Sequence, residues 1–430
     1  MGVGTASVFV LADDLSGAAE TAAVLMSPAR RARIALSGPP YAFTTPVLAA
    51  DLDCRYRDEA GELVRQALRH AGGRRVLVKI DSLLRGNLAA MAAATLHAAT
   101  PRAATDGEAA VRDTSAALPT RASHPPAPAL VVFAPALPAA GRVTVGGVPY
   151  LGGLSLRETR AWQVEPRPAP ASITEALGGV PSALVPLEAV RAGRDTLARA
   201  LSQTAGRIAV CDAETDSDLD EIVSAAMAAD HRTRFVGAGG LASALGRFLD
   251  TTPACSGFPD VPARGTSNRP LLVVVGTAEP GAAEQARLLL SYGARPITLD
   301  AARDLHTTPA HRAHFAQRLR EALRTSAALA VLTISGQAPP TAAATLAELV
   351  GAALTGHTPA PDLVLTGGET ARRVLDTLQV RELTPVGQIH HGAVHCHTPQ
   401  GRSVVTRPGS FGDRDSLLRI AAHLAPERLT

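Results

Sequence analysis

Short segments of the chain combine carboxylates, hydroxyls and cationic groups in patterns that could bind an anion and move a proton. The first is the turn Asp13-Asp14-Leu15-Ser16-Gly17, which follows the apolar run SVFVLA. Two adjacent carboxylates at the end of a strand can hold a divalent cation or supply one general base with a raised pKa. Asp14 could equally serve to cap the following helix, because capping needs only one carboxylate.

The second segment runs from Lys79 to Asn87 (KIDSLLRGN) and again follows an apolar run. Lys79 is the only lysine of the chain, and its ammonium is a compact point charge suited to a phosphate or a carboxylate. Alternation along an extended segment would place Lys79 and Asp81 on one side, with Ser82 and Arg85 following closely. The segment predicts an anion site with a base nearby, although a salt bridge at the end of a strand would also explain these charges.

Two further turns present an arginine beyond an apolar run. Arg142 follows the Pro/Gly turn PAAG, and Arg55 closes the segment Asp51-Leu52-Asp53-Cys54-Arg55. A guanidinium in such a position can bind a carboxylate or a phosphate through two hydrogen bonds. Neither turn is specific by itself, because arginines at the ends of strands are usually solvated.

Three glycine-containing turns in the second half of the chain predict a nucleotide site. They lie at Gly276 to Pro280, Thr366 to Thr370 and Pro408 to Asp413. Glycine lets backbone N–H groups approach phosphate oxygens, and the start of a helix adds a favourable partial charge. Ordinary strand-to-helix turns have a similar composition. The Walker A and protein-kinase signatures are absent, so ATP would need a different cradle.

Two other patterns suggest functions that the surrounding residues do not support. Residues 237–242 (GAGGLA) fit the dinucleotide pattern GxGxxA, but Asp260, the acidic residue near the expected offset, lies in a Pro-rich stretch. The histidine cluster at 390–397 suggests a metal site, yet only His395 and His397 would share a face of a strand, and no carboxylate accompanies them. We therefore predict a solvated hairpin there and no dinucleotide site.

The elements that must position these turns are short apolar strands, each followed by an Ala-rich helix. Such alternation indicates mostly parallel sheets covered on both faces, with ligands at the carboxyl ends of the strands. A chain of 430 residues suggests two domains at about 100–200 residues each. We predict an α/β fold of two domains, residues 1–262 and 263–430, each a mostly parallel sheet flanked by helices. Residues 101–128 are polar and Pro-rich, which predicts a mobile surface insertion.

The composition argues against several classes of protein. The net charge of +3 is scattered, with no basic tract, so a nucleic-acid partner has no support. No run approaches the roughly 18 apolar residues of a membrane helix, and the N-terminus lacks the features of a secretory signal. The four cysteines are far apart and indicate neither a disulfide framework nor a zinc site. We expect a cytoplasmic protein without a membrane partner, and the sequence leaves a homodimer open.

Taken together, these motifs resemble the four-carbon acid sugar kinases, two-domain enzymes that phosphorylate threonate, erythronate or 3-oxo-tetronate with ATP. The similar stretches, in the family's order, are ADDLSGAAETA, DLDCR, KIDSLLRGN, PALPAAGR, GTAEP, LTGGETA and RPGSFGD. The resemblance implies an N-terminal domain that binds the sugar acid and a C-terminal domain that binds the nucleotide. It further implies an active site in the cleft between them, with ATP and Mg²⁺ as cofactors.

The resemblance also implies a role for each turn. The residues expected to take part in catalysis are Asp14, Lys79 and Asp81, with either aspartate as the base. The residues expected to bind the sugar acid are Asp13, Ser16, Arg55, Ser82, Arg85 and Arg142. The residues expected to hold ATP are Gly276, Thr277, Gly367, Gly368, Glu369, Thr370 and Gly409.

The sequence leaves both the acid and two other functions open. Cys54, Leu83 and Met91 stand where family members carry polar residues, which predicts an altered polarity near the sugar-acid site. An NAD-dependent sugar-acid dehydrogenase would use GAGGLA, whereas a non-catalytic sugar-acid sensor would keep the N-terminal anion site without binding ATP. The absence of an acidic residue after a second strand argues against the dehydrogenase. The intact glycine turns argue against the sensor.

Overall fold

The computed structural model describes residues 7–100, 129–162, 165, 167–251, 269–276, 280–300, 308–335, 342–409 and 411–429. The predicted insertion at 101–128 and the predicted domain boundary after residue 262 lie outside these ranges, so both stay predictions. Within the described ranges, no helix is long and apolar enough to cross a membrane.

In the first part of the chain, strands and helices alternate as the apolar runs predict. The strands are β1 (Val8–Ala12), β2 (Ala32–Ala35), β3 (Val47–Asp51), β4 (Arg75–Lys79), β5 (Val131–Ala134), β6 (Arg142–Val145), β7 (Val148–Leu151), β8 (Leu154–Ser155), β9 (Ser182–Val185), β10 (Ile208–Cys211) and β11 (Arg234–Gly237). The helices are α1 (Leu15–Leu25), α2 (Ala60–Leu68), α3 (Leu88–Ala99), α4 (Ile173–Ala176), α5 (Leu187–Val190), α6 (Arg194–Ser202), α7 (Asp216–Ala229) and α8 (Gly239–Thr251).

The second part continues the same alternation and adds a hairpin. Its strands are β12 (Leu271–Val275), β13 (Arg295–Asp300), β14 (Leu329–Ser335), β15 (Asp362–Thr366), β16 (Glu382–His390), β17 (Ala393–His397) and β18 (Ser403–Arg407). Its described helices are α9 (Pro280–Ser291), α10 (Pro309–Ala322), α11 (Ala342–Leu354), α12 (Gly368–Thr377) and α13 (Ser416–Leu424). Short 3₁₀ turns occur at Pro138–Ala140, Leu156–Glu158 and Pro426–Arg428.

Fifteen of the strands, from both parts, join in one sheet, in the order β13-β14-β12-β15-β18-β17-β16-β2-β3-β1-β4-β11-β5-β10-β9, and β6, β7 and β8 form a separate antiparallel sheet. The run from β2 to β9 is parallel, as is the run from β13 to β18. The predicted α/β fold with mostly parallel sheets is confirmed. The two runs are joined by the antiparallel hairpin β16–β17 and by β16 pairing with β2, where Leu383 lies opposite Ile34. The sequence did not predict this junction.

Helix α1 lies between the two parts of the chain. Its sequence, LSGAAETAAVL, is small or apolar on every side, and nearly all of its residues are buried. A helix without a polar face must be covered all round. It packs against α8 in the first part and against α12 and β16 in the second, within an apolar core that both parts share. The N-terminus of α1 is therefore held where the two parts meet.

The glycines of residues 237–242 are required by packing. A Cβ atom at Gly240 would overlap the carbonyl oxygen of Ala136, and one at Gly239 would lie 2.6 Å from Oε1 of Glu20. The carboxylate of Glu20 thus occupies the space at the start of α8 that a pyrophosphate would need. This contact gives a physical reason against a dinucleotide site at GAGGLA, and Asp260 lies outside the described residues.

The histidine-rich segment forms the predicted hairpin, but it is less solvated than predicted. His395 is 1% exposed, because its ring nitrogens lie 3.1 Å from Oγ of Ser403 and 3.2 Å from Nε2 of His423. The prediction of a solvated hairpin is therefore wrong for His395, which packs between β18 and α13. In the described ranges, no group of three or more His, Cys, Asp or Glu residues is arranged to hold a metal ion.

Replacing Gly240 with alanine should lower the free energy of unfolding by about 1–3 kcal/mol, because the new methyl group meets a backbone carbonyl that cannot simply rotate away. Gly281→Ala is the matched control: Gly281 is also the second residue of a helix, and a Cβ there has nothing within 4 Å. Urea unfolding followed by circular dichroism measures both variants. Equal effects of the two substitutions would contradict the packing explanation.

Candidate active site

The turn after β1 places Asp14 at the N-terminus of α1. Asp14 is the N-cap residue, and its Oδ1 accepts a hydrogen bond from the backbone N–H of Gly17 at 2.7 Å. Its Oδ2 lies 2.8 Å from Nη1 of Arg55, and its side chain is 17% exposed. Asp14 therefore caps the helix, as one prediction had it, and still has an oxygen directed away from the cap.

Asp13 lies behind Arg55. Nε of Arg55 donates to Oδ2 of Asp13 at 2.7 Å, and Nη2 donates to Oδ1 at 3.0 Å. Burial raises the pKa of Asp13, although Arg55 acts in the opposite direction. Burial also lowers the pKa of Arg55, but Asp13 and Asp14 outweigh it and raise that pKa well above its usual value. Asp13 is 2% exposed and anchors Arg55, and its binding of the sugar acid stays a prediction.

Lys79 lies beneath the first turn of α1. Its Nζ is 3.5 Å from Oε2 of Glu20 and donates to the carbonyl oxygen of Ile80 at 3.1 Å. Gly17 leaves the space for this ammonium, since a Cβ there would lie 3.1 Å from Nζ of Lys79 and 3.0 Å from Oδ1 of Asp14. The single lysine is thus close to the cap of α1 and has a buried carboxylate as its partner.

Asp81 and Arg85 form a bidentate ion pair. Nε of Arg85 lies 2.5 Å from Oδ2 of Asp81, and Nη2 lies 3.2 Å from Oδ1. Burial raises the pKa of Asp81, but Arg85 and Arg55 outweigh it and hold that pKa far below its usual value. A carboxylate that is held ionised so strongly is a weak base. Lys79 and Asp81, predicted to lie on one side, have separate partners.

Arg142 differs from Arg55 and Arg85 in having no carboxylate partner among the described residues. Its Nη1 donates to Oγ of Ser82, and its Cζ lies 5.1 Å from the centre of the Phe411 ring. It is 8% exposed, and its Nε has no hydrogen-bond partner. Burial lowers the pKa of Arg142, although Asp81 acts against this. Arg55 and Arg85 each pair with a carboxylate, whereas Arg142 forms no ion pair with any described residue.

The N-terminus of α12 contacts Asp14, the N-cap residue of α1. Its N-cap residue Gly367 has a φ of 94°, which favours glycine, and it provides no side-chain cap. A Cβ atom at Gly368 would lie 2.5 Å from Oδ2 of Asp14 and 3.2 Å from Oγ of Ser16. The N-termini of α1 and α12 therefore meet, and both favour negative charge through their free N–H groups and their partial positive charge.

The other glycine turns of the second part lie around the start of α12. Oγ1 of Thr370 donates to the carbonyl oxygen of Gly276 at 3.4 Å, and a Cβ at Gly276 would overlap the Thr370 side chain. The N–H of Gly367 donates to the carbonyl oxygen of Arg407 at 2.9 Å, two residues before Gly409. Glu369 is exposed, and Thr277 lies outside the described residues. The structure thus brings together the turns that were predicted to hold a nucleotide.

Buried polar atoms without a hydrogen-bond partner lie on both sides of this meeting point. On the side of the first part they are Oγ of Ser16, Oε1 of Glu20 and Nε of Arg142. On the side of the second part they are Oε1 of Gln285, Oγ1 of Thr406 and Nη2 of Arg407. An unsatisfied buried polar group costs about 1–3 kcal/mol, so a ligand that formed hydrogen bonds with these atoms would remove that cost.

Sequence reasoning missed the roles of Glu20, Arg407 and Phe411. Burial lowers the pKa of Arg407 to about 10, and its Nη1 holds the following turn through the carbonyl oxygen of Phe411 at 2.5 Å and Oγ of Ser416 at 2.8 Å. Glu20 belongs to ADDLSGAAETA, and Arg407 and Phe411 belong to RPGSFGD. All three residues therefore lie in the same motifs as the predicted aspartates and glycines, but their residue types alone did not indicate these contacts.

Cys54, Leu83 and Met91 are buried among apolar side chains. Their exposed fractions are 0%, 5% and 2%, and each packs in an apolar cluster. Leu83 packs with Leu156, and its carbonyl oxygen accepts a hydrogen bond from Nε1 of Trp162 at 2.8 Å. The three side chains therefore belong to the apolar core, and their effect on the sugar-acid site stays a prediction.

Comparisons with known proteins agree with this arrangement. Residues 8–245 match a family model described as a sugar-binding N-terminal domain, and residues 272–417 match one described as a nucleotide-binding C-terminal domain. A D-threonate kinase of Cupriavidus necator is 30% identical over 436 residues, which covers 96% of each chain. This chain belongs to the four-carbon acid sugar kinase family. It is a carbohydrate kinase, and a D-threonate kinase of Bordetella bronchiseptica is 29% identical over 98% of each chain.

Solved structures show the same fold at lower identity. A Salmonella typhimurium LT2 protein superposes with a TM-score of 0.74 at 19% identity, covering 97% of the kinase and 100% of that chain. A Haemophilus influenzae protein gives a TM-score of 0.65 at 18% identity, covering 96% and 98%. At these identities the likeness concerns the fold alone.

Gly368→Ala should reduce kcat/KM of this kinase by about 10- to 100-fold, because a methyl group against Oδ2 of Asp14 would separate the two helix N-termini. A coupled ADP-release assay measures the loss. Gly281→Ala, which adds a methyl group where nothing lies within 4 Å, is the control and should keep full activity. Normal activity of Gly368→Ala would show that the close approach of α12 to α1 is not needed for the reaction.

Proposed function

We propose that this kinase transfers the γ-phosphoryl group of ATP to the terminal hydroxyl of a four-carbon sugar acid, with D-threonate as the first candidate. The observation that carries the proposal is the contact between the N-termini of α1 and α12, with Asp14 beside Gly368. A phosphoryl group passing between substrates that bind on either side would be close to both helix ends. The names of the relatives suggest the acid.

Arg142 is the residue best suited to bind the carboxylate of the sugar acid. It is buried, it forms no ion pair with a described residue, and its Nε lacks a hydrogen-bond partner. A buried guanidinium gains most from a ligand that brings the missing negative charge and accepts two hydrogen bonds. Oγ of Ser82, which accepts a hydrogen bond from Nη1 of Arg142, would orient the guanidinium group. Arg55 and Arg85 already pair with carboxylates, so they would stabilise the site without binding the acid directly.

Asp14 is the stronger candidate for the base. Its Oδ1 is engaged by the helix cap, and its Oδ2, which lies 2.8 Å from Nη1 of Arg55, also borders Gly368 and Ser16 at the contact between the two parts. Asp81 is tied to Arg85 through both oxygens, and its lowered pKa makes it a poor acceptor of a proton. We therefore assign to Asp14 the orientation and deprotonation of the terminal hydroxyl, and to Asp81 the positioning of Arg85.

The residues of the second part fit an ATP phosphate chain. The N-cap Gly367 leaves the first N–H groups of α12 without a side-chain cap, and Nη2 of Arg407 has no hydrogen-bond partner among the described residues. Mg²⁺ would be bound mainly by phosphate oxygens and water, with Asp14 as the protein carboxylate beside them, and would supply charge neutralisation on the phosphates. Lys79, held by Glu20 beneath α1, would add positive potential at the same place.

The proposal is tested by ADP release from purified protein with ATP and Mg²⁺. The acids to compare are D-threonate, L-threonate, D-erythronate, 3-oxo-tetronates and glycerate. Threitol, which matches threonate but lacks the carboxylate, should not be phosphorylated because it gives Arg142 no counter-charge. Turnover of one four-carbon acid supports the proposal. Turnover of threitol at a similar rate would contradict the role of Arg142, and no turnover of any acid would contradict the substrate class.

Asp14→Asn should lower kcat by about 10²- to 10⁴-fold, because an amide can cap the helix but cannot accept the proton. The KM for the acid should rise by less than kcat falls, since Asp14 is assigned to the terminal hydroxyl and Arg142 to the carboxylate. Steady-state kinetics measures both constants, and Asp220→Asn, at an exposed ion pair with Arg247, is the control. Near-normal kcat in Asp14→Asn would exclude this residue as the base.

A further inference from the structure

A buried ion pair connects α12, the helix whose N-terminus is proposed to bind the nucleotide, to the segment that ends in Arg55. Nη1 of Arg372, in the second turn of α12, lies 2.9 Å from Oδ2 of Asp51, whose side chain is 0% exposed. The same nitrogen lies 3.3 Å from the carbonyl oxygen of Asp51, and Nη2 donates to the carbonyl oxygen of Leu36 at 2.6 Å. Nε pairs with Asp376 at 3.0 Å within α12, which fixes the guanidinium on its own helix.

Asp51 in turn holds the conformation of the segment that ends in Arg55. Its Oδ1 accepts a hydrogen bond from the N–H of Asp53 at 2.9 Å, and Asp53 has a φ of 45°, in the left-handed region. Nη1 of Arg373, the next residue of α12, lies 3.0 Å from Oδ2 of Asp53. The N–H groups of Cys54 and Arg55 both donate to the carbonyl oxygen of Asp13, at 3.0 and 3.2 Å.

These contacts form a continuous physical path. It runs from the N-terminus of α12 through Arg372 and Asp51 into the segment 51–55, and from Arg55 to Asp13 and Asp14. The ion pair is desolvated, and its guanidinium meets several acceptors from different elements, so its geometry has little freedom. A small movement of α12 must therefore move the segment as well, or break buried hydrogen bonds.

We infer that Arg372 and Asp51 are positioning residues that transmit nucleotide binding at α12 to the turn holding Arg55 and, through it, to Asp14. The inference rests on the proposed function, because it takes the start of α12 as the nucleotide site. It adds that the two substrate sites are coupled. Binding of the nucleotide orders the groups that orient the acid, and binding of the acid strengthens binding of the nucleotide to the same extent.

The test is hydrogen exchange of the peptide covering residues 51–57, measured without and with Mg²⁺ and the non-hydrolysable analogue AMP-PNP. In the wild type the nucleotide should slow exchange of these amides by about fivefold or more. In Arg372→Lys, which keeps the charge but lacks the fork, this effect should disappear while AMP-PNP still binds. Asp51→Asn, which keeps the shape and an acceptor for the N–H of Asp53, should behave in the same way.

Arg30→Lys is the matched control. Arg30 is also buried, with Nη2 at 2.8 Å from Oδ1 of Asp250 and Nε donating to the carbonyl oxygen of Leu25 at 3.1 Å. All of its contacts lie within the first part of the chain, so this variant should keep the nucleotide effect. In kinetics, Arg372→Lys should raise the KM for the acid by about tenfold, and the double variant with Asp51→Asn should be no worse than either single variant.

The outcomes separate this inference from the proposed function. Loss of the exchange effect in Arg372→Lys and Asp51→Asn, with retention in Arg30→Lys, supports the coupling. The coupling would be overturned if AMP-PNP still slowed exchange in Arg372→Lys and Asp51→Asn, or if the effect were lost in all three variants. It would also be overturned if AMP-PNP bound to the wild type without slowing exchange. None of these results would contradict the proposed kinase activity. A wild type that does not bind AMP-PNP would overturn both.

Discussion

The close approach of two helix N-termini is the constraint on which the remaining structure depends. Gly368 must lack a side chain because Oδ2 of Asp14 and Oγ of Ser16 occupy the space that a Cβ would enter. Two positive helix ends that meet require negative charge between them. Asp14 supplies part of it as the cap of α1, and a phosphate chain would supply the rest. The apolar surface of α1, covered from both sides, keeps the two ends at this distance.

Near the contact between the two helix N-termini, most buried charges are paired with a charge of opposite sign. Carboxylates and guanidinium groups alternate through the site, so that Asp13 and Asp14 neutralise Arg55, and Asp81 neutralises Arg85. Buried charges are tolerated only when they are paired in this way. Two buried guanidinium groups have no carboxylate partner among the described residues: Arg142 on one side of the contact and Arg407 on the other. Under the proposed function, the sugar acid and the nucleotide would supply the two missing anions.

The fold was predictable because the patterns that indicate strands and helices are local in the sequence. Much of the site was unpredictable, because its contacts join residues that are far apart in the sequence. Apolar runs followed by Ala-rich stretches predicted β1–α1 and β4–α3 and the turns between them, and the positions of Asp14 and Lys79 followed from those turns. The burial of Asp13 behind Arg55, and of Glu20 against Lys79 and Gly239, depends on side chains that are far apart in the chain. The burial of Leu83 against Leu156 has the same cause, because a position next to polar motif residues does not determine which way a side chain faces.

The use of one lysine among so many arginines agrees with the partners that surround each cation in the structure. Arginine is used where several acceptors surround a planar fork, as Asp13 and Asp14 do for Arg55, and as Asp51 and Leu36 do for Arg372. Beneath α1 the cation has fewer partners. A Cβ at Gly17 would be 3.2 Å from Cγ of Lys79 and 3.1 Å from its Nζ, so the lysine side chain lies against the backbone of Gly17. Its compact ammonium lies 3.5 Å from Oε2 of Glu20 and donates to the carbonyl oxygen of Ile80, two partners that suit a point charge and do not require a planar group with five donors.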